Sequence, residues 1–301
     1  MTMIDRLALC NEVLAPWGFA EQCAYASRLG YRALEVAPFT LAKDPTAITD
    51  AQAAGWRAIA ADHGLVVCGL HWLLVAPEGL SISSPDEAVR SRTDGLIERL
   101  VDLCGLLGGS YLVHGSPAQR NPVAGQSAAD ALARATEAWL RAGERATRAG
   151  LTYCIEPLSR GQTAVVNTVA EAMQIVSTAN LPGLKTMLDT SSAGQTEAEP
   201  LDQLIDRWWP SGGLAHVQLN DRNRRGPGQG DDRFGPILAA LERQGYDGWL
   251  AMEPFDYQPD GPGCAAHSAG YVRGLLEAAG GQRIQRQGDR DEEGDGDGDA
   301  D

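Results

Sequence analysis

The chain has 301 residues, 44% of them hydrophobic, enough to bury a full core in one or two domains. Its formal net charge of −15, from 25 basic and 40 acidic residues, argues against a nucleic-acid partner, because phosphate binding requires a basic face. No stretch approaches ~20 apolar residues, so no membrane span is expected. The start, Met1 to Arg6, lacks the basic region, apolar run and cleavage site of an export signal, which makes the cytoplasm the expected compartment.

Short apolar runs alternate with amphipathic stretches along the whole chain. Leu7–Leu14 reads as a strand and Phe19–Leu29 as a helix, and the pair recurs at Ala33–Ala37 with Thr49–His63. Leu65–Leu74 with Asp86–Leu107 and Ser110–His114 with Ser127–Ala149 complete the first half. The second half repeats it with Leu151–Glu156 and Thr168–Thr178, then Leu184–Asp189 and Leu201–Trp209. Leu214–Leu219 with Pro236–Gln244 and Trp249–Glu253 with Ala265–Ala279 close the series. Most strand runs are continuously apolar, as for parallel strands covered on both faces. Helix ends are marked too: Ser84-Pro85-Asp86-Glu87 supplies a cap residue, a Pro and first-turn acids. Arg148-Ala149-Gly150 and Arg243-Gln244-Gly245 put a basic residue and then Gly at helix C-termini.

Eight strands alternating with eight helices point to a single α/β domain, a (β/α)8 TIM barrel over residues 1–281. An open doubly wound sheet is the rival, but the first βα turn carries no GxGxxG phosphate loop. Residues 282–301 alternate Gly with acids and are expected to form a disordered tail. From Arg283 onward there are eight acids and three Arg, so the body keeps −15 + 5 = −10. The six cysteines are scattered, with no CxxC pair, and read as buried free thiols.

In such a barrel the chemistry gathers where strands end and βα loops begin. The fifth strand ends in Cys154-Ile155-Glu156-Pro157 and the sixth in Met187-Leu188-Asp189-Thr190. The seventh contains Ala215-His216-Val217-Gln218, and the eighth ends in Ala251-Met252-Glu253-Pro254. Each residue alone is an ordinary rim acid or hydrogen-bonded histidine. Together Glu156, Asp189, His216 and Glu253 offer one donor from each of four successive strands. Three carboxylates and an imidazole suit a hard divalent ion in about six-fold coordination, Mn2+ or Mg2+ first, with Co2+ also compatible. The two Glu-Pro steps hold each Glu backbone extended at its strand exit.

These motifs resemble the sugar phosphate isomerase/epimerase superfamily with the xylose isomerase-like TIM barrel, whose relatives include ketose 3-epimerases and hydroxypyruvate isomerase. The likeness runs from about Leu7 to Leu275 and is best in the second half. There it includes Ile155-Glu156-Pro157, Leu188-Asp189-Thr190, His216 followed by Arg222, Gly226-Pro227-Gly228-Gln229-Gly230 and Met252-Glu253-Pro254-Phe255. The resemblance implies that Glu156, Asp189, His216 and Glu253 hold one divalent ion, with Glu156 and Glu253 also the acid–base pair. It implies an enediolate mechanism on a sugar or small hydroxy-keto substrate, with Arg222 at the developing charge. Gln162 and Ser192 stand where ketose epimerases have a substrate-contacting Glu and His, which points to a different substrate. His71 and His114 are further candidate substrate contacts, as are Glu12 and Glu35 near strand ends and Arg120 in a loop. A dehydratase on the same barrel and a non-catalytic carbohydrate-binding barrel are the alternatives. A homo-oligomer, with Trp208-Trp209 at an interface or packed on the barrel, stays open.

Overall fold

The structure is a computed structural model that describes residues 2–294, with side chains through Gly280. The expected tail, 282–301, falls beyond the described side chains, and 295–301 lie outside the described residues.

Eight strands form the frame: β1 (Leu7–Cys10), β2 (Ala33–Val36), β3 (Val66–Leu70), β4 (Tyr111–His114), β5 (Thr152–Ile155), β6 (Leu184–Asp189), β7 (Leu214–Leu219) and β8 (Leu250–Met252). Each pairs in parallel with the next, and β8 pairs with β1, so the sheet closes into a barrel. The continuously apolar runs are explained by this arrangement, since helices cover the outer face while side chains fill the inner one. The covering helices are α1 (Phe19–Arg28), α2 (Asp50–Asp62), α3 (Glu87–Leu107), α4 (Pro117–Arg120), α5 (Ala128–Ala149), α6 (Val169–Ala179), α7 (Thr190–Thr196), α8 (Leu201–Trp208), α9 (Phe234–Arg243) and α10 (Gly261–Gly294).

Helix ends follow local chemistry. Thr49 caps α2 and Thr168 caps α6, each in a capping box with the residue three positions on. Gly150 ends α5 at φ 69°, where Leu151 N–H returns to Ala146 O at 2.8 Å. The cap of α3 is Asp86 rather than Ser84: Asp86 accepts from Ala88 N–H at 2.8 Å, and Ser84 accepts from Asp86 N–H. Arg145 on α5 grips Asp94 on α3 with two N–H···O contacts of 2.8 Å, tying neighbouring helices. Trp208 and Trp209 are partly buried and pack on the barrel, Trp209 edge-on to Tyr246. All six cysteines are free and buried.

Strand lengths differ from expectation at two exits that matter for function. β1 stops at Cys10 and a tight turn, Asn11–Leu14, replaces its expected extension. Asn11 leaves the ladder because its side chain accepts from Ala37 N–H and donates to Gln22 and Thr40. β3 stops at Leu70, which frees His71 to turn into the mouth. The short helix α7 has no counterpart among the expected elements. Most of its residues (Thr, Ser and Gly) are poor helix formers, and it starts because Asp189 caps it, accepting from Ser192 N–H at 2.6 Å.

Candidate active site and metal centre

The mouth of the barrel holds a compact set of buried acids. Oxygens of Glu156, Asp189 and Glu253 lie within 4.8 Å of one another, and the three residues are 3–6% exposed. Like charges this close, out of water, favour the neutral acids. Burial, then the charges of Glu253 and Asp189, push Glu156 well above the usual carboxylate range. Burial raises Asp189 to about 6 against the N–H donors that oppose it. Burial likewise pushes Glu253 up to about 8, against the hydrogen bond from His71. Asp189 Oδ2 and Glu253 Oε2 are buried and have no hydrogen-bond partner. Orphaned buried oxygens of this kind are unstable without a proton or a cation, so the residues present fit a divalent ion.

Local architecture brings the acids together. Glu156 sits one residue beyond β5, and its carbonyl accepts from the fully buried Arg120 at 2.8 Å. Gly115 faces it across the β4 exit, and a methyl group there would collide with Glu156 Oε2. Glu253 follows β8, and its carbonyl accepts from Asn220 at 2.8 Å. His71 is fully buried between two carboxylates, with Nδ1 2.8 Å from Glu253 Oε1 and Nε2 2.9 Å from Glu12 Oε2. Burial alone would lower its pKa, but the Glu12 and Glu253 carboxylates outweigh it and hold His71 well above its ordinary value. Cys10, Glu12, His71 and Glu253 form a second close group, but both ring nitrogens of His71 are engaged, which makes it a hydrogen-bonded cation.

His216 stands apart from the three acids. It is 2% exposed, its Nε2 lies 2.8 Å from Glu35 Oε2, and its ring stacks on Tyr111 at 4.2 Å between centroids. The N–H direction misses the oxygen, so this is a close contact without a directed hydrogen bond. Glu35 also accepts from Tyr111 at 2.5 Å and from Gln218 at 2.6 Å. Burial disfavours its charge, but His216 and the other partners prevail and bring it down to about 2.

Beside the acids lies a cavity of about 150 Å3 lined by Glu156, Glu253, Gln162, Ser116, Arg224 and the apolar faces of Trp72, Pro117, Leu158 and Phe255. Trp72, Ser116 and Arg224 have φ of 48°, 42° and 69°. They are three of the five non-glycine residues at positive φ among the described residues, so backbone strain concentrates at the cavity. Trp72 packs edge-on to Phe39 and Phe255, and the Arg224 guanidinium lies over the Phe255 ring at 5.0 Å. Larger hollows exist, one of about 860 Å3 beside α2 and α3, but their linings carry none of these acids.

The remaining candidates divide. Gln162 lines the cavity, and its Oε1 accepts from Ser159 N–H and from Ser192 Oγ, so the two residues that depart from the epimerase pattern touch each other. Arg222 does not reach the cavity; it is largely exposed and paired with Asp232 at 2.6 Å. His114 faces outward to the helix layer, where Nδ1 meets Tyr153 OH at 2.6 Å and Trp139 Nε1 at 3.2 Å. Burial and the Arg120 charge bring it down to about 3, a neutral ring. The segment 226–230 is tied down, with Gln229 accepting from Gly226 N–H and donating to Gln258 O. Sequence reasoning missed Trp72, Arg224 and Phe255 as cavity walls. A positive-φ tryptophan leaves no mark in the sequence; Arg224 was legible only as a second arginine near Arg222.

The xylose isomerase-like TIM barrel family matches residues 23–275, so the chain belongs to that family, within the sugar phosphate isomerase/epimerase superfamily. A ketose 3-epimerase of Arthrobacter globiformis is 28% identical over 195 residues, 65% of this chain and 65% of its own. A D-psicose 3-epimerase of Agrobacterium fabrum (strain C58) is 30% identical over 238 residues, 76% of each chain. A solved L-ribulose 3-epimerase superposes with a TM-score of 0.77 at 22% identity, covering 93% of this chain and 97% of that one, a likeness of fold. Among the described residues no helix is long and apolar enough to cross a membrane.

Proposed function

We propose that this protein is a divalent-metal-dependent epimerase or isomerase acting on a ketose or a related small hydroxy-keto compound. The observation that carries the reading is that Glu156 and Glu253 both line one cavity while sharing with Asp189 a cluster of buried, partly orphaned oxygens. The similarity to ketose 3-epimerases supports the sugar class. When bound, a divalent ion supplies positive charge that polarises a carbonyl and acidifies the neighbouring C–H.

The chain's own groups then handle the proton. Glu253, hydrogen-bonded to the His71 imidazolium, takes it from the carbon next to the carbonyl. Glu156 delivers a proton on the opposite face, inverting that carbon; return to the neighbouring carbon gives aldose–ketose isomerisation instead. The enediolate's negative charge develops near Arg224, and Trp72, Leu158 and Phe255 exclude water. Asp189, held by Ser192 N–H, serves as a ligand without a proton-transfer role. Mn2+ is the foremost ion, with Mg2+ or Co2+ compatible.

The test is to strip metal, restore Mn2+, and follow by NMR the entry of solvent deuterium into a panel of ketoses, inosose and hydroxypyruvate. Exchange that needs both metal and Glu253 supports the reading. Absence of exchange in every panel member with Mn2+ bound would sink it, and enone absorbance without epimer would make the protein a dehydratase.

A further inference from the structure

We propose that the donor from β7 to the metal is the side-chain oxygen of Gln218, which makes the protein ligand set Glu156, Asp189, Gln218 and Glu253, oxygen throughout. The assignment rests on the reading that these acids hold a divalent ion, and it concerns which residue completes their set.

Register is the first ground. Asp189 pairs with Gln218 across β6 and β7, while His216 pairs with Met187, one inward position deeper. Residues two apart on a strand face the same side, and two residues span about 6.6 Å. Both side chains therefore point into the barrel, but Gln218 is level with the ligand Asp189 and His216 lies below it. The three acids gather without His216, whose Nε2 stays against Glu35.

Amide chemistry is the second. Gln218 Nε2 donates to Glu35 Oε1 at 2.6 Å. Only the NH2 end of an amide can donate to a carboxylate, so the oxygen is the opposite end. Gln218 is 0% exposed, and its Oε1 is buried without any hydrogen-bond partner. An acceptor so placed is costly unless something positive meets it. Asp189 Oδ2 and Glu253 Oε2, at the exits of the strands either side of β7, share that condition. Glu35 aims the amide as a carboxylate aims a metal-binding histidine, and Tyr111 fixes Glu35 in turn.

An all-oxygen set favours Mg2+ and Mn2+ and gives up the imidazole that favours Co2+, Ni2+ and Zn2+. Calorimetric titration of the full-length metal-free protein with Mg2+, Mn2+ and Co2+, joined to pulsed EPR of the Mn2+ form, tests this. The wild-type Mn2+ spectrum is expected to show no coupling to a bound imidazole nitrogen. Gln218→His is expected to introduce that coupling and to shift the Co2+-over-Mg2+ preference at least tenfold, and Gln218→Leu to weaken Mn2+ binding by about 10–100-fold. Imidazole coupling in the wild type overturns the assignment while leaving the metal reading intact. A wild type that binds none of the three ions overturns both. The wild-type spectrum decides the matter even if a variant does not fold.

Discussion

Replacing His71 by alanine in the metal-free protein removes the cation between two carboxylates that are 5% and 4% exposed at the side chain. Breaking a buried ion pair from one side costs about 3–5 kcal/mol, because a charge is left in low dielectric without its partner. At about 2 °C per kcal/mol for a chain of this length, thermal unfolding should move down by roughly 6–10 °C. The loss should also depend on pH. His71 has its pKa raised on folding, so its share of stability is fully present below its ordinary 6.5 and is lost only as pH rises through the higher folded value. In the variant, Glu253, already pushed up to about 8, loses the imidazolium that opposes the push. Its neutral acid is then favoured more strongly, but both proteins hold Glu253 neutral below about 8, so this separates them only above that value. Calorimetry at pH 5 and pH 8 should therefore show the full deficit at pH 5 and a smaller one at pH 8. A deficit under about 1 kcal/mol, or one equal at both pH values, would refute the account of His71 as a buried cation.

Other consequences are separable. Gly115→Ala should displace Glu156 and weaken Mn2+ binding about tenfold or more by calorimetry, with little change in secondary structure by circular dichroism. Glu253→Gln should abolish deuterium exchange while weakening metal binding only partly, whereas unchanged turnover would remove it from the mechanism. Arg224→Gln should raise KM or lower kcat about tenfold, while Arg222→Gln, which breaks only an exposed pair with Asp232, should change either by less than about twofold. Asp94→Asn should cost about 1 kcal/mol by denaturant titration at pH 7 through loss of the Arg145 clamp. Arg145 holds Asp94 below its usual 3.8, so this contribution is present above that value and disappears as pH falls through the lowered one. Variant and wild type should then converge in acid.

The barrel was legible because its information is local. Apolar runs and Gly at helix C-termini each act within a few residues, and Gly150 and Gly245 do in the fold what their positions announce. Glu156, Asp189 and Glu253 were legible for the same reason, since a strand's end is read from where its apolar run stops. Helix α7 is not legible in the sequence, because Thr-Ser-Ser-Ala-Gly-Gln-Thr has no helical signature; a single cap and tertiary packing hold it.

Depth inside the barrel is a different matter. His216 and Gln218 are equally inward by the two-residue period of β7, and the chemistry of the side chains favours histidine as a ligand. Which of them meets Asp189 depends on how β6 slides against β7, and that pairing carries a register shift between Thr186 and Met187. The same holds for Arg222 and Arg224, whose directions follow from the turn that puts Arg224 at positive φ over Phe255. The sequence by itself determined the strands, the helices and the acids at the strand ends. Only closure of the barrel decided which side chains share a level at its mouth, because register is set jointly by neighbouring strands and by none of them alone.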